Sequence, residues 1–221
     1  MMVKTNENIR HAYVSGDPDK VPFLLLHGTG GDEKDMLELG EFLGSDNPML
    51  SIRGRVNENG LNRYFERFED GTFNIDSLHE ESEWLVGAIR DLALRYDFDP
   101  SEFVVVGYSN GANVAVQMLM HHPEISFRAA VLLHPMLIEP TDNVVNLEDT
   151  KIFMTYGEFD PLVSQEVFAN LKDTLRQGKP ALSIFRYQAS HAINQVEMQA
   201  AKLWLYGNGF VAAETEEHHH H

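Results

Sequence analysis

Short apolar runs alternate with longer stretches of helical period along most of the chain. Val21-Pro-Phe-Leu-Leu-Leu26 ends at His27-Gly28, and Met49-Leu-Ser-Ile52 ends at Arg53-Gly54. Phe103-Val-Val-Val106, bounded by Pro100 and Gly107, is followed by Ala129-Ala-Val-Leu-Leu133, Lys151-Ile-Phe-Met-Thr155 and Leu182-Ser-Ile-Phe-Arg-Tyr187. The length and apolar content of these runs predict strands. Between them the apolar positions recur every three or four residues, as with Met36, Leu39 and Leu43, or Leu78, Leu85, Ala88, Ile89, Leu92 and Tyr96. That spacing predicts helices over 33–43 and 76–96, and further helices fit 112–121, 164–177 and 192–206. Strands apolar throughout, separated by helices, predict an α/β fold. Its sheet should be mostly parallel, of about six to seven strands, with helices on both faces and right-handed crossovers. Ala12-Tyr-Val14 is expected to add a short edge strand.

One long stretch, Arg53 to Ile75, has no clear period. It holds Asn-Glu-Asn-Gly at 57–60 and the aromatics Tyr64, Phe65, Phe68 and Phe73. Loops of this length inside a compact domain are usually functional. Ligands of open α/β sheets sit beyond the carboxyl ends of the strands, and this loop leaves one such end.

The chemistry begins at Gly107-Tyr108-Ser109-Asn110-Gly111, a Gly-x-Ser-x-Gly pattern lying directly between a strand and a helix. In that context the glycines relieve crowding in a sharp turn that lifts the serine hydroxyl into the cleft. The helix starting there turns free N–H groups and its positive dipole end toward a reacting carbonyl. A serine hydroxyl is a poor nucleophile without a base. The order serine, acid, histidine points to Asp160, in Gly157-Glu-Phe-Asp-Pro161, and to His191; the intervals are 51 and 31 residues. Both follow predicted strands, on the edge that carries Ser109. Glu158 and Asp142 compete as the acid, and His134, which ends a strand, competes as the base. His121 and His122 precede Pro123 at a helix end and read as structural.

His27-Gly28-Thr29-Gly30-Gly31 follows the first core strand. A glycine-rich turn there can bring backbone N–H groups close to the nucleophile, so the Thr29 and Asn110 amides are the expected oxyanion donors. A dinucleotide-binding loop needs Gly-x-Gly-x-x-Gly running into a helix, and Glu33 stands where its last glycine belongs.

Composition narrows the classes. The chain has 221 residues, 43% of them hydrophobic, enough to form a core without disulfides or metals. The absence of cysteine excludes a thiol nucleophile and any Cys-ligated metal site. A net charge of −17 disfavours binding to nucleic acid or anionic membranes. No apolar run approaches a membrane span or a signal peptide, which makes a cytoplasmic location the expectation. Residues 1–213 are expected to form a single α/β domain, and 214–221 a tail ending in a probable His tag.

With these residues the chain resembles the α/β-hydrolase fold. More narrowly it is similar to the small bacterial carboxylesterase/phospholipase family of predicted serine esterases, which also includes acyl-protein thioesterases and hydrolases associated with quinone stress. The resemblance runs from about Val21 to Leu205. It rests on His-Gly-x-Gly-Gly-Asp-Glu at 27–33, Ser-Ile-Arg-Gly-Arg at 51–55, Asn-Arg-Tyr-Phe at 62–65, the serine turn at 107–111, Gly-x-x-Asp-Pro at 157–161, and His191. It implies a compact hydrolase without a cap domain, often a dimer, with Ser109, Asp160 and His191 as catalytic residues. Ser190, Thr29 and Asn110 depart from the family's usual Gly, Leu and Gln; none of the three changes the triad.

The expected function is therefore a serine carboxylesterase of small or short-acyl esters, needing neither cofactor nor metal. Alternatives are a lysophospholipase or acyl thioesterase, or a non-catalytic binding protein on the same fold. The candidate substrate-binding residues are Arg53, Phe65, Phe73, Met136 and Val163. Arg53, with Arg55 and Arg63 in the same loop, could supply a fork for a carboxylate.

Overall fold

The computed structural model describes residues 9–213; the expected tail at 214–221 lies outside them. Nine strands and five helices alternate in the predicted sense: β1 (His11–Val14), β2 (Phe23–Leu26), α1 (Leu37–Leu43), β3 (Met49–Ile52), β4 (Val56–Glu58), β5 (Leu61–Arg63), α2 (Ile75–Arg95), β6 (Val104–Tyr108), α3 (Asn110–His121), β7 (Ala129–Leu133), β8 (Lys151–Gly157), α4 (Gln165–Arg176), β9 (Ala181–Tyr187) and α5 (Gln195–Gly207). Seven strands form the main sheet, in the order β1-β3-β2-β6-β7-β8-β9. Only β1 runs antiparallel to its neighbour, pairing His11 with Ile52 and Val14 with Met49.

The two faces of the sheet explain why its strands read as unbroken apolar runs. Leu24, Val105, Ala130 and Ile152 point to the face covered by α2, α3 and α4, together with Leu85, Ile89, Met118 and Phe168. Phe23, Leu25, Val104, Val106 and Val131 point to the other face, against Leu39 and Leu43 of α1 and Ala201 and Leu205 of α5. Alternate residues of one strand thus enter two separate cores, and on the inner strands both faces are largely apolar. No helix among the described residues is long and apolar enough to cross a membrane.

Two elements differ from expectation. The helix predicted over 33–43 begins only at Leu37, because Glu33 turns to meet Arg53, 2.8 Å away. The stretch after Arg53 is not irregular: β4 and β5 form a hairpin closed by Asn59 and Gly60, at φ 54° and 87°. Two successive residues of positive φ are what a tight type I′ hairpin turn requires, and Asn-Gly supplies them at least cost. The strands are three residues each, too short for alternation to register.

Candidate active site

Parallel strands bring the carboxyl ends of β2, β6, β7, β8 and β9 to one edge, and the chemistry-bearing residues gather there. Ser109 forms the turn between β6 and α3 at φ 52°, ψ −112°, a left-handed backbone that a serine adopts only under constraint. A Cβ on Gly107 would lie 2.8 Å from the Ala112 amide nitrogen, and one on Gly111 would lie 2.2 Å from the Leu26 carbonyl oxygen. The glycine spacing of the motif is thus a packing requirement: α3 starts directly against the end of β2. Gly111→Ala should cost about 2 kcal/mol or more through this backbone clash, read as a lowered urea midpoint.

His191 sits in the loop after β9, with Nε2 2.6 Å from the Ser109 hydroxyl oxygen. Its Nδ1 is 2.6 Å from Asp160 Oδ2. A carboxylate only accepts, so Nδ1 carries the proton and Nε2 presents its lone pair to Ser109. Asp160 lies in the loop after β8 with a fully buried side chain, whereas that of His191 is 18% exposed. The second carboxylate oxygen accepts from the Leu162 and Val163 amides, at 2.8 and 3.3 Å, which fixes its plane. The Tyr108 hydroxyl donates to the His191 carbonyl and holds that loop down. Glu158 and Asp142 take no part in these contacts. His134 does not reach Ser109; its Nε2 is bonded to Glu197 instead, 2.8 Å away.

The glycine-rich loop after β2 is held from both sides. His27 Nδ1–H donates to the Gly28 carbonyl, and Nε2 accepts from the Gly54 amide at 3.0 Å. Burial pushes its pKa down, in keeping with this neutral bridging tautomer. Tyr64 stacks on His27 at 4.6 Å, accepts the His27 amide and donates to the Ile52 carbonyl. From the other side the hairpin grips the loop: the Gly30 amide donates to Asn62 O, the Asn62 side chain donates to Gly31 O, and Arg63 donates to the Thr29 hydroxyl. What remains are the backbone amides of Thr29 and Asn110, which donate to no acceptor among the described residues.

Ser109 opens into a cleft of about 490 Å³. Phe73, Met136 and Val163, three of the candidate substrate-binding residues, line it with Arg63, Arg67, Leu162 and Asn113. Two other expected pocket residues are placed elsewhere. Arg53 is not in the cleft, because Glu33 holds it in a two-nitrogen contact with one carboxylate oxygen. Phe65 is fully buried and packs behind Phe73, ring centroids 5.7 Å apart, so it supports the wall without forming it. Arg55 likewise pairs with Glu81 and lies over Trp84. Of the three loop arginines singled out by sequence, the one that faces the cleft, beside Arg67, is Arg63. Its side chain is 4% exposed, Nε is 3.2 Å from Glu58, and Nη2 is buried without a hydrogen-bond partner. Glu58 is shared with Arg67, so one carboxylate serves two guanidiniums. Burial, then the neighbouring Arg67, lowers Arg63 to about 10, against the pull of Glu58; it stays cationic at neutral pH.

Arg67, Asn113 and Leu162 carried no motif. Asn113 was the one with a visible signal, an amide within the apolar helix that its Oδ1 uses to hold the Met136 amide at 2.8 Å. His134, Asp160 and His191 present ligand-type atoms within 4.8 Å of one another, but these atoms are engaged with each other, with Glu197 and with Ser109.

Known proteins are similar to this chain over nearly its whole length. MhqD of Bacillus subtilis (strain 168), provisionally named a hydrolase, is 35% identical over 196 residues, 89% of this chain and 97% of that protein. The structure of YahD with malic acid superposes with a TM-score of 0.86 at 38% identity, covering 90% of this chain and 98% of YahD. The Bacillus cereus carboxylesterase superposes equally well, TM-score 0.86, at 35% identity over 91% of this chain and 95% of that one. The family model of the dienelactone hydrolases matches residues 74–219, from the start of α2 through the serine turn, Asp160 and His191. With its mostly parallel sheet and capless cleft, the chain is an α/β-hydrolase and belongs to the dienelactone hydrolase family.

Proposed function

We propose that the protein is a serine carboxylesterase acting on compact esters. The observation that carries this reading is the continuous hydrogen-bonded line from Ser109 through His191 to Asp160, with both links at 2.6 Å. Ser109 Oγ attacks the ester carbonyl as His191 Nε2 takes its proton. The carbonyl oxygen, now negative, is held by the Thr29 and Asn110 amides, donors fixed in advance by the hairpin and by α3. The tetrahedral intermediate collapses, His191 protonates the leaving alcohol, and the acyl group stays on Ser109. Water activated by His191 then releases the acid. Asp160 keeps the imidazole in the required tautomer and stabilises its cation. A fluorophosphonate probe tests the reading: covalent labelling at Ser109 together with ester turnover supports it, and an unlabelled, inactive protein overturns it.

The cleft suggests which esters. Its volume is that of a small-molecule site, walled by Phe73, Met136 and Val163. Arg63, a cation on the cleft wall, is suited to a carboxylate on the substrate. That a relative, YahD, was solved with malic acid, a dicarboxylic acid, fits this preference. Specificity constants should fall as the acyl chain grows from acetyl to octanoyl. Arg63→Met should lower turnover of a half-ester of a dicarboxylic acid about tenfold more than that of its neutral dimethyl ester. Rates that rise with chain length would favour the lysophospholipase or thioesterase reading, and equal losses on both esters would remove the carboxylate.

A further inference from the structure

Behind the triad lies a second acid–base pair that the proposed mechanism does not use. His134 directly follows β7 in a left-handed backbone, φ 54°, and its side chain is fully buried. Its Nε2 is 2.8 Å from Glu197 Oε1, and its Nδ1 is 3.3 Å from Asp160 Oδ2, the same oxygen that His191 contacts. Glu197 comes from the first turn of α5, and its side chain is also fully buried. The groups packed around His134 are Asp160 after β8, Glu197 on α5, Tyr187 at the end of β9, Tyr108 at the end of β6, His191, and the Thr155 hydroxyl, which accepts the His134 amide.

Both ring nitrogens of His134 therefore face carboxylate oxygens. A carboxylate only accepts, so a neutral imidazole would set a lone pair against one of them. The tyrosines offer no alternative proton sink: burial, and then Glu197, raise both Tyr187 and Tyr108. The Tyr187 hydroxyl donates to Glu197 at 2.6 Å, and the Asn194 amide does so at 3.2 Å. Burial works against a charge on Glu197, but bonds from His134 and Tyr187 outweigh it and leave its pKa below the usual carboxylate value. A buried anion is tolerated when a cation is bonded to it.

We infer that His134 is a positioning residue held as an imidazolium between Glu197 and Asp160, and that this second pair sets the working pH of the triad. The inference rests on the esterase reading for its kinetic consequence, though not for the protonation state itself. A cation on Asp160 partly offsets the negative charge that the aspartate presents to His191, and the His134 and His191 rings lie 5.3 Å apart. Protonation of His191 is thereby disfavoured, so the base stays free to lower pH. The left-handed backbone at His134 is the local strain that aims the ring between the two acids.

The test is the acid limb of the pH profile of kcat/KM for a neutral ester. His134→Gln keeps a donor for one of the two carboxylates and removes the charge. Losing the cation stabilises protonated His191, so the limb should move to higher pH, by on the order of one unit. The limiting rate at alkaline pH should fall less than about tenfold, since the triad itself is intact. A limb that stays in place, or moves to lower pH, overturns the inference. Nitrogen-15 spectra of the imidazoles decide it independently of turnover, should the variant not fold or the wild type not hydrolyse esters. Wild-type His134 should carry protons on both nitrogens at neutral pH, and Glu197→Gln should remove one of them. A singly protonated His134 in the wild type refutes it.

Discussion

Ser109→Ala is expected to lower kcat/KM for para-nitrophenyl acetate by about four orders of magnitude or more, with the fold unchanged by circular dichroism. The side chain does not hold the turn: that is done by Gly107 and Gly111 against Ala112 and Leu26, and by the Ser109 amide bonded to the Leu133 carbonyl. Alanine disturbs none of these. His191→Ala should lose nearly as much, and the double variant little more than either single one, because a nucleophile and its base act as one unit. His134→Ala should be far milder, since its nitrogens face Glu197 and Asp160 and not Ser109. Activity above a tenth of wild type in Ser109→Ala would exclude Ser109 as the nucleophile, and a reversed ranking of the two histidines would make His134 the base.

Asp160→Asn should cost about ten-thousandfold in kcat with little loss of ester affinity. Asp160 Oδ2 receives His191 Nδ1 and faces His134 Nδ1 as well. An amide nitrogen placed there would donate where an acceptor is needed, and His191 would turn its proton toward Ser109. If the amide oxygen takes that place instead, its nitrogen meets the Leu162 and Val163 amides, donor against donor. Either arrangement breaks a buried contact. Steady-state kinetics with a thermal melt separate the two costs; a loss of less than about a hundredfold in a folded variant would mean that another acid orients His191.

Much of the site could be read from the chain because each part is local. The serine turn needs its glycines within two residues of Ser109, and its strand and helix adjoin it in sequence. Asp160 and His191 follow β8 and β9 by a few residues, so predicting those strands as parallel placed them on the right edge. The start of α5 was not read from the chain: the helix was expected over 192–206 and begins at Gln195, after the capping box of Asn194 and Glu197. Nothing local says that Glu197 reaches His134, which follows a strand some sixty residues earlier.

The three arginines of the loop show where sequence ceased to decide. Arg53, Arg55 and Arg63 have the same side chain and the same acidic neighbourhood. Which one faces the cleft depends on partners brought by other elements: Glu33 from the segment before α1 takes Arg53, and Glu81 of α2 takes Arg55. Arg63 is left sharing Glu58 with Arg67, on the strand that grips the Thr29 loop. Phe65 and Phe73 divide in the same way, one into the core and one onto the cleft wall. By itself the sequence determined the parallel sheet, its carboxyl edge and the order of the three residues there, because apolar period and turn chemistry act over a few residues. The tertiary structure alone decided which charges are spent on one another and which face the cleft, because Coulomb and hydrogen-bond partners are set by distance in space and not along the chain.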